Sequence, residues 1–133
     1  MLKTFKINTG EEGFFNITSY VRQIVNESGV NEGIAVIYCP HTTAALAITD
    51  NSDVDDSVRN DIMIALNKAF PDRPQFKSCE GNSYSYAKAA CLGSSRTIII
   101  DDNRLVLGSM QGIFLVDFDC IPERTVCVKI IKT

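Results

Sequence analysis

Residues 97–131 read TIIIDDNRLVLGSMQGIFLVDFDCIPERTVCVKII, and their pattern decides the fold. Four apolar, β-branched runs, Thr97–Ile100, Leu105–Leu107, Gly112–Phe118 and Thr125–Ile131, succeed one another with no helical period between them. Strands joined by short links pair antiparallel, because a parallel pair needs a long crossover. Asp101-Asp102-Asn103 has the composition of a hairpin turn. Within Gly112–Phe118, alternation puts Phe114, Val116 and Phe118 on one face and Ile113, Leu115 and Asp117 on the other. A carboxylate on an otherwise apolar face needs a partner or a pocket, which singles out Asp117. Asp119, at the strand end, can be solvated.

Upstream the period changes. Residues 2–8 read as a strand, with Phe5 and Ile7 on one face. Ile17, Tyr20, Val21, Ile24 and Val25 recur at helical spacing, so 17–28 reads as an amphipathic helix. Asn16 or Thr18 suits its start and Gly29 its C-terminal turn. Ile34–Cys39, apolar on both faces, reads as a central strand interrupted by Pro40, and Thr42–Asp50 reads as another. A helix is expected from Asp53, with Val54, Val58, Ile62, Ala65, Leu66 and Ala69 as its stripe and Asp55 and Asp56 in its first turn. Residues 70–74 are a loop. A third helix is expected over Ser83–Leu92, capped by Asn82 and ended by Gly93. These elements form one α+β domain spanning 1–133: a mostly antiparallel mixed sheet with about three helices on one side.

The chain has 133 residues, 45% hydrophobic and 22% charged, which suits a single globular domain with a real core. A net charge of −3 with scattered Lys and Arg provides no stripe for a phosphate backbone, so a nucleic-acid role is not expected. No apolar run approaches the roughly 20 residues that span a bilayer, and the N-terminus lacks the apolar core of a signal peptide. A cytoplasmic protein with no membrane role is expected. One histidine, His41, excludes a two-histidine metal site within the chain. Five cysteines, at 39, 79, 91, 120 and 127, include no CxxC pair and read as reduced, mostly buried thiols.

Four segments carry polar residues that a core does not require. Cys39-Pro40-His41-Thr42-Thr43-Ala44-Ala45 places a histidine and two hydroxyls where a strand meets a proline. It can present them to a pocket or hold an ordinary loop histidine. Thr49-Asp50-Asn51-Ser52-Asp53 offers oxygen ligands for a hard cation such as Mg²⁺, or a turn with a helix cap. Residues 80–88, EGNSYSYAK, open a helix whose free N–H groups suit an anion, with Lys88 adding charge, although the spacing is not that of a P-loop. The fourth is Leu107-Gly108-Ser109-Met110-Gln111-Gly112, leading to Asp117 and Asp119.

Taken together, the HTTAA motif at 41–45, Asp50-Asn51 with Asp53, Glu80-Gly81-Asn82-Ser83, and the LGSMQGIFL run at 107–115 leading into Asp117-Phe118-Asp119 resemble the YjbQ-like family, whose members are named as secondary thiamine-phosphate synthases. The resemblance covers nearly the whole chain in the family's motif order. It implies a barrel-like α+β fold and a homotrimer. It also implies a site near subunit boundaries that joins a pyrimidine diphosphate to a thiazole phosphate with release of pyrophosphate. A non-catalytic protein of the same fold, binding a small phosphorylated ligand, is the alternative.

In that reading His41, Asp117 and Tyr86 are the catalytic candidates. Thr42, Thr43, Asn82, Ser83, Lys88, Gln111 and Arg124 bind the ligand. His41 and Asp50 are the candidate ligands of a divalent metal, Mg²⁺ or Zn²⁺. The chain departs from the family pattern at several of these places. Tyr86 stands where a second histidine is usual, Met110 where a tryptophan precedes the glutamine, and Asp117 where a glutamate is usual. Cys120-Ile121-Pro122-Glu123 replaces a Gly-Pro-Arg turn, leaving Arg124 as the nearby cation. Clustered changes of this kind point to an altered, shared pocket.

Overall fold

The structure is a computed structural model that describes residues 1–78 and 81–133; Cys79 and Glu80, the latter part of the third polar segment, lie outside the described residues. Among the described residues eight strands and three helices follow in the order β1 (Leu2–Asn8), β2 (Gly13–Asn16), α1 (Thr18–Ser28), β3 (Gly33–Tyr38), β4 (Ala44–Asp50), α2 (Ser57–Ala69), α3 (Ser83–Leu92), β5 (Ser95–Asp101), β6 (Arg104–Leu105), β7 (Gln111–Asp117) and β8 (Glu123–Lys132). They form a five-stranded sheet, β1-β8-β3-β5-β6, and a three-stranded sheet, β2-β7-β4. Every ladder is antiparallel.

The two sheets face each other as an open half-barrel across one core. Ile7, Ile37, Ile98, Val126 and Val128 from the larger sheet meet Leu46, Ile113 and Leu115 from the smaller, with Val21 of α1 completing the cluster. The other face of the small sheet carries Ala45, Ala47, Val116 and Phe118, covered by Ala89 of α3 and by Met63 and Leu66 of α2. Strand β7 is therefore buried on both faces, which explains its continuous apolar run.

Local chemistry accounts for several of the element ends. The amide hydrogen of Thr18, the first residue of α1, is donated to Asn16 Oδ1 at 3.0 Å. Gly29 closes the helix at φ 66°, a left-handed conformation that favours glycine. Asp102 and Asn103, at φ 52° and 57°, make the β5–β6 turn, matching the twist of a tight hairpin.

Three expectations change. The helix predicted from Asp53 starts at Ser57, and Val54 is 98% exposed instead of anchoring a stripe. Ser52 Oγ accepts the Asp55 N–H and Asp55 Oδ1 accepts the Ser57 N–H, so short polar side chains hold this stretch in turns that compete with helix. Strand β2 was not legible as a strand: it has only four residues, and its pairing with β7 supplies the order. The thiols are not mostly buried. Only Cys39 is buried among the described cysteines; Cys127 is half-buried, and Cys91 on α3 and Cys120 in the turn after β7 are exposed. Among the described residues no helix is long and apolar enough to cross a membrane.

Because β7 is the shared wall of both clusters, Phe114→Ala is expected to cost about 3–5 kcal/mol. Val54→Ala is expected to stay within about 0.5 kcal/mol. Urea denaturation of the two variants measures both; equal losses would contradict the assigned packing.

Candidate functional site

At one end of the half-barrel the core turns polar. Asp117 projects from the inner face of β7 and Arg124 from the inner face of β8, where they are 0% and 3% exposed. Arg124 Nε donates to Asp117 Oδ2 and Nη2 to Oδ1, each at 3.0 Å, a fork-to-fork pair that ties the two sheets together. Nη2 also donates to Thr43 Oγ1 at 2.9 Å, and Asp117 Oδ1 accepts the Asp119 N–H at 2.9 Å. Burial by itself would push the Asp117 carboxyl up, but the hydrogen bonds from Arg124, Asp119 and Thr9 and the charge of Arg124 outweigh it. The net direction is below the ordinary 3.8.

The segment between β3 and β4 is sewn to this pair. Thr43 faces inward onto Arg124, while His41 Nε2 accepts the Thr125 N–H at 2.9 Å. With Nε2 occupied as an acceptor, the neutral ring carries its proton on Nδ1. Burial, then the positive charge of Arg124, lowers the His41 pKa from 6.5. The neighbouring Cys39 thiol is pushed up to about 11, chiefly by burial, and is an inert core group.

His41 and Thr42 open onto a cavity of about 360 Å³ whose other wall is α3 and the link from it to β5: Tyr86, Ala89, Ala90, Gly93 and Ser94. The small residues on α3 leave the space, and Leu46 N–H donating to Gly93 O locks that wall to β4. Its volume lies within the range of small-molecule sites. Gly93 and Ser94 were not singled out in sequence, because nothing in a Gly-Ser-Ser link distinguishes a cavity wall from a plain turn.

The other candidates divide. Thr43, Asp117 and Arg124 lie beneath the cavity as one network, and the Arg124 donors to Asp117 and Thr43 leave it committed within the chain. Asn82 does not cap α3 with its side chain; its Nδ2 donates to Asp119 Oδ1 at 3.1 Å, and its buried Oδ1 has no partner among the described residues. Ser83 starts α3. Lys88, 2% exposed, turns away from the His41 cavity. Its Nζ donates to Asn67 Oδ1 of α2, lies over the Tyr84 and Phe118 rings, and borders a separate cavity with Glu12 and Asp72.

Gln111 and Asp50 pair at the far end of the β4–β7 ladder, about 20 Å along β4 from Ala44 at ~3.3 Å per residue. There Gln111 Oε1 accepts the Gly108 N–H, and the Asp50 carbonyl accepts from Arg59 Nη1. His41 and Asp50 therefore cannot share a metal within one chain. Among the described residues of one chain no group of three His, Cys, Asp or Glu side chains is placed to hold a metal ion.

Comparison with known proteins adds lineage to this geometry. A family model described as UPF0047 protein YjbQ-like matches residues 3–133. The chain is 43% identical over 132 residues to UPF0047 protein MJ1081 of Methanocaldococcus jannaschii, covering 98% of this chain and 94% of that one. It is 36% identical over 131 residues to UPF0047 protein YugU of Bacillus subtilis, covering 97% and 98%. Among solved structures, an uncharacterized YjbQ/UPF0047 protein of Clostridium acetobutylicum superposes with a TM-score of 0.91 at 44% identity, covering 97% of this chain and 99% of that one. A YbjQ-like protein of unknown function from Sulfolobus solfataricus superposes with a TM-score of 0.93 at 27% identity, covering 100% and 97%.

Two outcomes follow from the protonation of this end of the molecule. The His41 pKa is lowered by folding, so its contribution to stability is present above 6.5 and is lost as the pH falls through 6.5 toward the folded value. Chemical denaturation between about pH 7.5 and 5.5 should show a falling midpoint, and His41→Gln should flatten that slope. Asp117→Asn is expected to cost about 3–5 kcal/mol, because it leaves the buried Arg124 charge without its counter-ion. A calorimetric melt reads that loss.

Proposed function

The chain belongs to the YjbQ-like UPF0047 family, and on that premise we propose that it is a homotrimer that binds a small phosphorylated ligand in the cavity between His41-Thr42 and α3. The observation that carries this reading is that His41, Thr42 and Tyr86, distant in sequence, line one cavity. The small-residue wall provides space, and the imidazole, the threonine hydroxyl and the phenol provide hydrogen-bonding groups at its rim. His41 enters as a neutral ring, since burial, the Arg124 charge and its bond from Thr125 all fit that state.

Self-association is supported by the outer face of the five-stranded sheet. Ile99, Ile34 and Ile131 form one cross-strand row in which Ile99 and Ile131 are exposed and Ile34 half-buried, with Tyr38 exposed on the same sheet and Val106 exposed just beyond β6. Among the described residues no helix covers this β-branched surface, and exposed apolar patches of this kind mark interfaces. The face runs to Tyr38, Ser95 and Cys127, which are paired at the end of the sheet beside the cavity, so a neighbouring copy packed there lies close to the ligand.

The second reading is transfer: joining a pyrimidine diphosphate to a thiazole phosphate with release of pyrophosphate. Two proton-carrying side chains, His41 and Tyr86, on one cavity favour it. Such a reaction requires neutralisation of the leaving pyrophosphate. Within one chain Arg124 is committed to Asp117 and Thr43 and Lys88 lies away from the cavity, so cations from a neighbouring copy are part of this reading.

Thermal-shift and calorimetric titrations with thiazole phosphate and with the pyrimidine diphosphate test the binding. A ligand of the native state raises the melting temperature. His41→Gln and Tyr86→Phe should each weaken binding at least tenfold. Glutamine is chosen because its amide oxygen can still accept the Thr125 N–H, whereas alanine leaves that donor unpartnered at about 1–3 kcal/mol. Sedimentation should give three times the chain mass. Pyrophosphate release by the wild type and not by His41→Gln would favour transfer; absence of binding by both ligands would remove this site assignment.

A further inference from the structure

A second cavity, of about 590 Å³, lies between α1 and the β5–β6 turn and is lined by Arg22, Val25, Asn26, Asp102, Asn103, Arg104 and Leu105. Its arginines differ from Arg59, Arg96 and Arg124. Arg59 donates to the Asp50 and Ser52 carbonyls, Arg96 to the Leu92 and Ser95 carbonyls, and Arg124 to Asp117 and Thr43. The Arg22 and Arg104 guanidinium groups have no hydrogen-bond or ion-pair partner among the described residues, and both border this one cavity. Two guanidinium groups against one carboxylate, Asp102, leave the rim with a net positive charge that favours an anion.

The rim is built on rigid parts. Asn103 Nδ2 donates to the Val25 carbonyl at 3.0 Å and to the Val30 carbonyl at 2.7 Å, stapling the turn to the end of α1. Val25 and Leu105 pack in a common apolar cluster with Ala35 and Ile100 beneath. Arg22 on the helix and Arg104 directly after the turn are thus held in a fixed relation by packing that neither side chain provides. Guanidinium forks match the geometry of a phosphate or carboxylate oxygen pair. On the same rim the Asp102 carboxylate accepts hydrogen bonds, and the Asn26 amide donates or accepts them, as hydroxyl groups require.

We propose that Arg22 and Arg104 form an oxyanion site for a small, hydroxyl-bearing phosphate monoester, with Asp102 and Asn26 meeting the hydroxyls. This site is separate from the His41 cavity. Asn103 N–H donates to the Asn31 carbonyl just before β3, whereas Cys39 N–H, just after it, donates to the Ser94 carbonyl beside the His41 cavity. The two sites thus lie at opposite ends of a strand about 17 Å long at ~3.3 Å per residue.

The test is calorimetric titration of the full chain with glycerol 3-phosphate at constant ionic strength, with sodium chloride as the matched control. Saturable binding is expected, weakened at least tenfold by Arg22→Gln or Arg104→Gln and retained in His41→Gln. Arg22→Lys should recover only part of the affinity, since an ammonium keeps the charge but lacks the fork. Both arginines are exposed, so the melts of these variants should match the wild type. Binding that is absent from the wild type, reproduced by chloride, unchanged in both glutamine variants, or lost equally in His41→Gln would overturn the assignment.

Discussion

The bidentate contact between Arg124 and Asp117 joins the two sheets at the end where their apolar core stops. Taking both charges out of water is costly, and their attraction offsets that cost only when the geometry is good and the remaining donors and acceptors are satisfied. Here Thr43 receives a further guanidinium donor and the Asp119 amide caps the carboxylate. The pair also dictates where the chain between β3 and β4 must run, because Thr43 can reach Arg124 only if residues 41–43 fold over the open end of the half-barrel. The conformation of the histidine segment is therefore a consequence of an ion pair between strands far from it in sequence.

His41 inherits its chemistry from that arrangement. Burial and then the Arg124 guanidinium disfavour the protonated imidazole, and its accepting nitrogen is turned toward β8. The catalytic and ligating roles suggested by the residue type are narrowed: Nε2 is already used, so a general-base step through that nitrogen would first have to break a backbone hydrogen bond. What the cavity offers most directly is recognition by hydrogen bonding, with Tyr86 across from the imidazole in place of a second histidine. This is why binding stands ahead of transfer in the functional reading.

Much of the fold is legible in the sequence. The β-branched runs after residue 95 became β5, β7 and β8, and the Asp-Asp-Asn link became the turn with two left-handed residues. The periodic stretch after Asn16 became α1. Asp117 was conspicuous as a carboxylate on an apolar face. Less legible were β2, too short to show alternation, and the start of α2, where Ser52 and Asp55 hold turns that a helical stripe could not foresee. Lys88 and Arg124 both looked like free cations; one is folded against two rings and an amide, the other is bound to a carboxylate.

The sequence by itself determined the class of the fold and the residues with chemistry to offer, because alternation, helical period and turn composition are local and each residue type carries its own donors, acceptors and charge. Only the tertiary structure decided which of those residues meet. It brought His41 to Tyr86, withdrew Arg124 into the core, sent Lys88 to the other side of α3, and placed Asp50 and Gln111 at the distant end of a ladder. It also set two unpartnered arginines on one rim. The reason is physical: the register between strands and the packing of helices on them are settled by burial summed over the whole chain, and no single segment contains that sum.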